Sequence, residues 1–296
     1  MERTEKDKVG EELAAQRFGM LADIAGELNS GDVLFPTCFD AVLRLRKELQ
    51  NPDITLLHIA RIVQLEPLIA ARLVRLANSV TYAPHGQAVR DLPSAINRLG
   101  INVVRSTAMA VAMGAILHAK ELVGFSKLAR ALWEHSIHSA AATRLLAHTI
   151  SRTRATEGKI RSEEALLAGL VHDLGAFYML YRSVQYVELR ERPDTLKHLI
   201  AQWHEAIGVT LLETLMLPPE IAQASVDHDH PRPIPDDPRT LADVVYIGNC
   251  LAGGTGAWLG LADDAQEEEV GFFREKYAAL LPGIEADARE MQSALE

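Results

Sequence analysis

The run SEEALLAGLVHDLG, residues 162–175, constrains the fold more than any other stretch. Leu166, Leu167, Leu170, Val171 and Leu174 leave almost no polar face at helical spacing, so this helix must be enclosed by other elements. Ser162 reads as the N-cap, with Glu163 and Glu164 at the positive end of the helix dipole. Gly175 stands where a left-handed C-terminal cap would be needed. His172 and Asp173 lie at the inner end of the helix. Burying them is costly unless they are paired, hydrogen-bonded or on a metal. Chemistry is to be sought at that end.

The enclosing elements are helices too. No segment alternates apolar and polar β-branched residues with period 2, so no strand is predicted and the fold class is all-α. A chain of 296 residues makes one large or two small domains, long enough to hold a core without staples. A formal net charge of −10 argues against a nucleic-acid partner, which needs a basic face. Cys38 and Cys250 form no CxxC pattern and read as reduced core thiols, as Met109 and Met113 read as core. The polar first residues make no signal peptide, and the longest apolar run, 107–117, falls short of the roughly 20 residues that span a bilayer. The expected location is cytoplasmic, with no membrane contact.

In chain order, residues 11–28 place Leu13, Phe18, Leu21, Ile24 and Leu28 on one amphipathic stripe ended by Gly31. It suits covering its own domain or reaching a partner. Short helices are predicted over 36–49, 55–64 and 67–77, with a brief one from 91 closed by Gly100 and a longer one over 101–118. Longer helices follow over 132–150, 162–174, 178–189 and 196–215, then one from Pro218 to about 227. Residues 231–238 hold four prolines and exclude helix. A helix over 240–251, a glycine turn at 253–256 and two acidic helices complete the chain. The predicted organisation is an N-terminal extension 1–30, a first helical lobe 31–122, a second lobe 123–260 and acidic helices over 261–296.

Several of these segments resemble a known family. EPLIAARLVRLANS at 66–79 is similar to the signature of the HDOD domain, a relative of the HD-type phosphohydrolases found in bacterial signalling proteins. AINRLG at 95–100 resembles its second signature, and LVHDLG at 170–175 its HD-x-G segment. HEAIG at 204–208, Leu217-Pro218 and HDHP at 228–231 resemble its C-terminal part. The resemblance runs over about residues 34–250 and implies an all-α, HD-like domain in two contiguous lobes. It also implies a metal set: His135 as the first histidine, His172 and Asp173 as the pair, and His204 and His228 as the additional histidines of the cyclic-dinucleotide branch. Asn249 stands at the place of the final aspartate. A divalent transition metal, zinc, manganese or iron, suits such a set.

Two departures weigh against catalysis: Asn249 replaces an aspartate, and Ala176 stands where the cyclic-dinucleotide branch has a lysine. That branch's Gly-Tyr-Pro loop is replaced by PRPIP at 231–235. The same His-Asp pair also reads as a polar relic without metal, and His118, His138, His148 and His198 as surface or structural histidines. Arg72, Arg75, Arg98 and Arg105 read as solvated helix edges. The expected function is a non-catalytic signalling module working through protein contacts, with an upstream sensor or receiver domain or a second copy as partner. The alternative is a metal-dependent phosphohydrolase acting on a nucleotide or cyclic dinucleotide.

Overall fold

Proline and capping residues set most of the helix starts. Pro67, Pro193 and Pro219 each open a helix, where proline lacks only a hydrogen that no carbonyl would accept. Thr240 with Asp243, and Asp263 with Gln266, form capping boxes. In the computed structural model, residues 5–31, 33, 48, 51, 54–64, 67–83, 87–117, 120–152, 159–215, 217–233 and 237–295 are described. Among them there are helices and no strand, as the sequence predicts.

They run α1 (Glu5–Ser30), α2 (Leu56–Gln64), α3 (Pro67–Ala77) and α4 (Leu92–Leu117). A 3-10 helix, Lys120–Phe125, leads into α5 (Ser126–Arg152), followed by α6 (Ser162–Val171), α7 (Leu174–Ser183) and α8 (Val187–Glu191). Then come α9 (Pro193–Thr214), α10 (Pro219–Ala224), α11 (Leu241–Leu251), α12 (Gly254–Leu259), α13 (Asp264–Lys276) and α14 (Leu281–Leu295). Apart from residue 48, the predicted helix at 36–49 lies outside the described residues, as do Cys38 and His118.

The two helices expected on either side of Gly100 are present within α4, which breaks at that residue, where a φ of 77° and ψ of 165° suit glycine alone. Other expectations need correction. The single helix expected over 178–189 is two, because α7 begins four residues earlier and ends at Ser183. The turn expected at 253–256 is the start of α12: Gly253 and Gly254 take positive φ, and the chain then coils at once. Phe18 is 76% exposed, whereas its neighbour Met20 is fully buried with Ile24. The α1 stripe therefore runs through Met20 and covers α7–α9. Glu27 bonds Tyr178 and pairs with Arg182 at 2.6 Å, and Asp23 bonds Tyr186.

Helix α5 is the hub against which α6, α11, α12 and α14 pack. Small residues set how closely. A Cβ at Gly169 of α6 would fall 2.3 Å from Thr143 Oγ1, and one at Gly248 of α11 would fall 2.4 Å from Thr143 Cγ2. Thr143 is thus sandwiched, its hydroxyl 2.8 Å from the carbonyl of Ala165 across the α5–α6 contact. On the far side, α7 presses on α9 through Gly175 and Gly208. The C-terminal end of α6, the start of α7 and the middle of α9 are drawn together by these approaches. Leu170, Val171, Leu174 and Ala176 are buried there, as the apolar run requires. Met109 and Met113 are core, and Cys250 is a buried free thiol. No helix of the described residues is long and apolar enough to cross a membrane.

Candidate metal centre

Helix α6 stops at Val171, and two residues later α7 begins, so His172 and Asp173 form the bend between them. Arg161, not Ser162, occupies the N-cap of α6, and no side chain caps it. Gly175 is not a C-cap: it lies inside α7 against the backbone of α9, where a Cβ would come within 2.0 Å of the His204 carbonyl oxygen. The glycine is required by helix contact rather than by turn geometry. Asp173 is the N-cap of α7 yet makes no side-chain cap bond, which leaves its carboxylate turned toward the histidines.

The structure brings His135 of α5, His172, Asp173, His204 of α9 and His228 together, all at 5% exposure or less. Backbone carbonyls orient the rings. His172 Nδ1 lies 2.8 Å from Gly169 O, His204 Nδ1 2.8 Å from Ile200 O, and His228 Nδ1 2.9 Å from Ser225 O. A carbonyl only accepts, so each Nδ1 carries a hydrogen and each Nε2 faces inward. His135 Nε2 lies 3.4 Å from Ser139 Oγ.

The inward atoms meet in two halves that share Asp173. On one side His135 Nε2 is 3.2 Å from His172 Nε2, and these lie 3.5 and 3.6 Å from Asp173 Oδ2. On the other, His204 Nε2 and His228 Nε2 are 3.3 Å apart and lie 3.3 and 3.2 Å from Asp173 Oδ1. Asp229 closes this half, its Oδ2 3.2 Å from His204 Nε2. Two ligands each about 2.1 Å from one ion, at angles between octahedral and tetrahedral, stand roughly 3.0–3.4 Å apart. The N···N separations match that edge, and these groups could hold a metal ion.

Charge divides the two halves. Burial pushes His135 and His172 down, His172 to about 3, against the pull of Asp173. Burial also opposes charge on His204 and His228. Bonds to Asp173 and Asp229 nevertheless carry His204 well above its ordinary value, and Asp229 with Asp173 brings His228 to about 9. For the carboxylates burial works upward, yet the neighbouring histidines hold both Asp173 and Asp229 below their usual range. Protons thus satisfy the His204–His228 half. In the other half, neutral His135 and His172 point at an ionised oxygen, and Asp173 Oδ2 is buried without a hydrogen-bond partner. The His172 Nε2 lone pair and Asp173 Oδ2 are buried acceptors side by side, an arrangement that a cation among them would relieve.

Asn249 sits one step back. Its Nδ2 donates to His228 O at 3.0 Å and to Asp229 Oδ1 at 2.8 Å, while its Oδ1 is buried without a hydrogen-bond partner. A second carboxylate beside Asp173 therefore touches His204, that of Asp229, which the sequence reading passed over although it directly follows His228. Glu205 was missed as well; its Oε1 accepts from Asp229 N at 2.9 Å. The signal lay in the adjacency of acids to His204 and His228. His138, His148 and His198 stand outside this set; His138 and His198 hold carbonyls of their own helices. A cavity of about 540 Å³ opens beside His228 and Asp229, walled by α12, α13 and Asn249. Its charged lining consists of Asp229, Glu267 and Glu269 against Arg274 and His228.

The fold is shared with solved structures. A Shewanella amazonensis SB2B protein provisionally named a metal-dependent phosphohydrolase superposes with a TM-score of 0.72 at 21% identity, over 95% of this chain and all of its own. An HDOD domain protein of unknown function from Geobacter sulfurreducens gives 0.56 at 19%, over 91% and 97%. Among curated proteins, an uncharacterized protein of Treponema pallidum is 20% identical over 247 residues, 80% of this chain. The chain spans 45% of that relative's length. The sequence pattern of the HDOD domain matches residues 35–231, which excludes α11 to α14 and Asn249. With some two thirds of its length matched, the chain belongs to the HDOD domain family.

Proposed function

We propose that the chain is a regulatory HDOD module in signal transduction, non-catalytic, with a divalent transition metal held by His135, His172, Asp173, His204, His228 and Asp229. One observation carries the metal assignment: the lone pair of His172 and the Nε2 of His135 converge with the unpartnered Asp173 Oδ2 in a buried pocket. Zinc, manganese and iron all suit a set of imidazoles and carboxylates. A bound ion supplies positive charge that offsets two buried carboxylates and replaces the protons on His204 and His228. Asn249 and Glu205 orient the ligands, since they hold Asp229 by its carboxylate and its amide.

The absence of turnover follows from charge around the cavity. Asp229, Glu267 and Glu269 repel a phosphate, and Ala176 offers no cation where the cyclic-dinucleotide branch carries a lysine. Loss of one donor that steadies developing charge costs about 2.7–4 kcal/mol of barrier. We assign the first lobe to 31–122, the HD-like lobe to 123–260, and partner contact to the extension 1–30, where Phe18 is exposed. An upstream sensor or receiver domain, or a second copy, is the partner class this fits.

The sharing of Asp173 between two histidine pairs favours a second reading, a two-metal phosphohydrolase acting on a nucleotide or cyclic dinucleotide. Elemental analysis of purified protein, with a cyclic-dinucleotide hydrolysis assay on wild type and D173A, separates the two. The proposal predicts metal in the wild type, none in D173A, and no hydrolysis by either. Hydrolysis by wild type that D173A abolishes establishes the second reading. A metal-free wild type, after reconstitution with each ion, leaves the His-Asp set as a polar relic.

A further inference from the structure

A second group of ligand-type side chains lies on the surface above the buried set. Glu205, Asp227 and His230 each offer an atom within 4.8 Å of the others. His230 Nδ1 is 3.2 Å from Glu205 Oε2 and 3.9 Å from Asp227 Oδ1. The side chains of His230 and Asp227 are 72% and 66% exposed, whereas Glu205 is only 15% exposed. Glu205 belongs to both groups, because it also lies within 4.8 Å of His204, His228 and Asp229. Its two oxygens face opposite ways: Oε1 accepts from Asp229 N and lies 3.4 Å from His228 Nδ1, while Oε2 faces His230. Asp229, 18% exposed, then touches His204, which is 1% exposed.

We propose that Asp227, His230 and Glu205 form a capture site where a divalent transition metal first binds before it passes to the buried histidine–aspartate set. The inference rests on the reading that the buried set holds metal. A hydrated ion entering a dry pocket must exchange water for protein ligands, and complete dehydration before new bonds form is prohibitive. Ligand groups set side by side allow stepwise exchange. Glu205, a ligand of the capture site, also holds the amide of Asp229, and Asp229 is next in line before His204. Two carboxylates and an exposed imidazole also attract a cation from water, which the buried histidines, at 5% exposure or less, cannot do.

The test is the rate of uptake. The full chain, stripped by a chelator, is mixed in stopped flow with Co²⁺, and the absorbance of nitrogen-bound cobalt is followed. The variants are D227N/H230Q, with H230Q alone in case the pair destabilises the loop. D264N serves as control, removing an exposed acid from the first turn of α13. The proposal predicts loading about tenfold slower in D227N/H230Q, the effect of about 1.4 kcal/mol lost from the encounter complex. Final cobalt content should equal that of wild type, and D264N should load at the wild-type rate. Wild-type loading in D227N/H230Q overturns the capture site. Equal slowing in D264N reduces the effect to bulk charge and overturns it too. A lowered final content means that these residues hold the ion rather than pass it on, which also refutes the relay. A wild type that takes up no cobalt at equilibrium defeats the metal reading itself, a distinct failure.

Discussion

Gly175→Ala separates two opposed effects of known size. Alanine in place of glycine inside a helix stabilises by about 1 kcal/mol, so local propensity alone predicts a more stable protein. The contact between α7 and α9 predicts the reverse. A Cβ at Gly175 would stand 2.0 Å from His204 O, 2.6 Å from Gly208 N and 2.8 Å from Gly208 Cα. All three are backbone atoms, so no rotamer change relieves the clash and the helices must part. Overpacking of a core costs about 1–3 kcal/mol, and backbone partners put this site at the upper end. The net expectation is a loss of about 2 kcal/mol. Parting the helices also moves His204 from Asp173, now 3.3 Å away, so metal content should fall with stability. Urea unfolding followed by tryptophan fluorescence reads the first effect and elemental analysis the second. Gly208→Ala, whose Cβ would come no nearer than 3.3 Å, should cost much less, and Gly10→Ala, with nothing within 4 Å, should stabilise. A G175A protein as stable as wild type, or more so, refutes the helix contact.

Three further outcomes follow. Leu170→Ala removes a side chain 1% exposed in the middle of α6 and should cost about 2–5 kcal/mol; a loss under roughly 0.5 kcal/mol in urea unfolding would mean the helix is peripheral. In chelator-stripped protein, His228 is raised from 6.5 to about 9 in the folded state, so its stabilisation is complete below pH about 6.5 and is lost as pH climbs through 9. Unfolding free energy should drop by about 3 kcal/mol across that window, less in His228→Gln, and a rise would contradict the assigned contacts. Asp173→Ala should leave the helices folded and erase the melting shift that a chelator causes in wild type; a chelator that shifts both equally argues for metal elsewhere.

The helical architecture was legible because its signals are local. Pro67, Pro193 and the Thr240 capping box act within one turn, and the elements they open were foreseen in type, with the start at Pro193 expected three residues late. What escaped depended on partners far along the chain. Gly175 reads as a cap in sequence, and only the presence of Gly208 against it shows why a side chain is excluded. The α6–α7 bend escaped because it contains no proline or glycine, merely the His-Asp pair itself. The five side chains that converge at the α6–α7 bend were picked out by resemblance, but their pairing was not, since four separate parts of the fold supply them. Asp229 was overshadowed by Asn249, which occupies the place of an expected ligand. Only the spatial arrangement shows the asparagine behind the aspartate, binding it.

The most direct test of the central claim is anomalous diffraction from crystals of the full chain reconstituted with Zn²⁺, measured on both sides of the zinc absorption edge. The account predicts an anomalous peak inside the set formed by His135, His172, Asp173, His204, His228 and Asp229, absent from D173A crystals grown in the same way. Well-ordered side chains in that set with no peak between them, at saturating zinc, would contradict it.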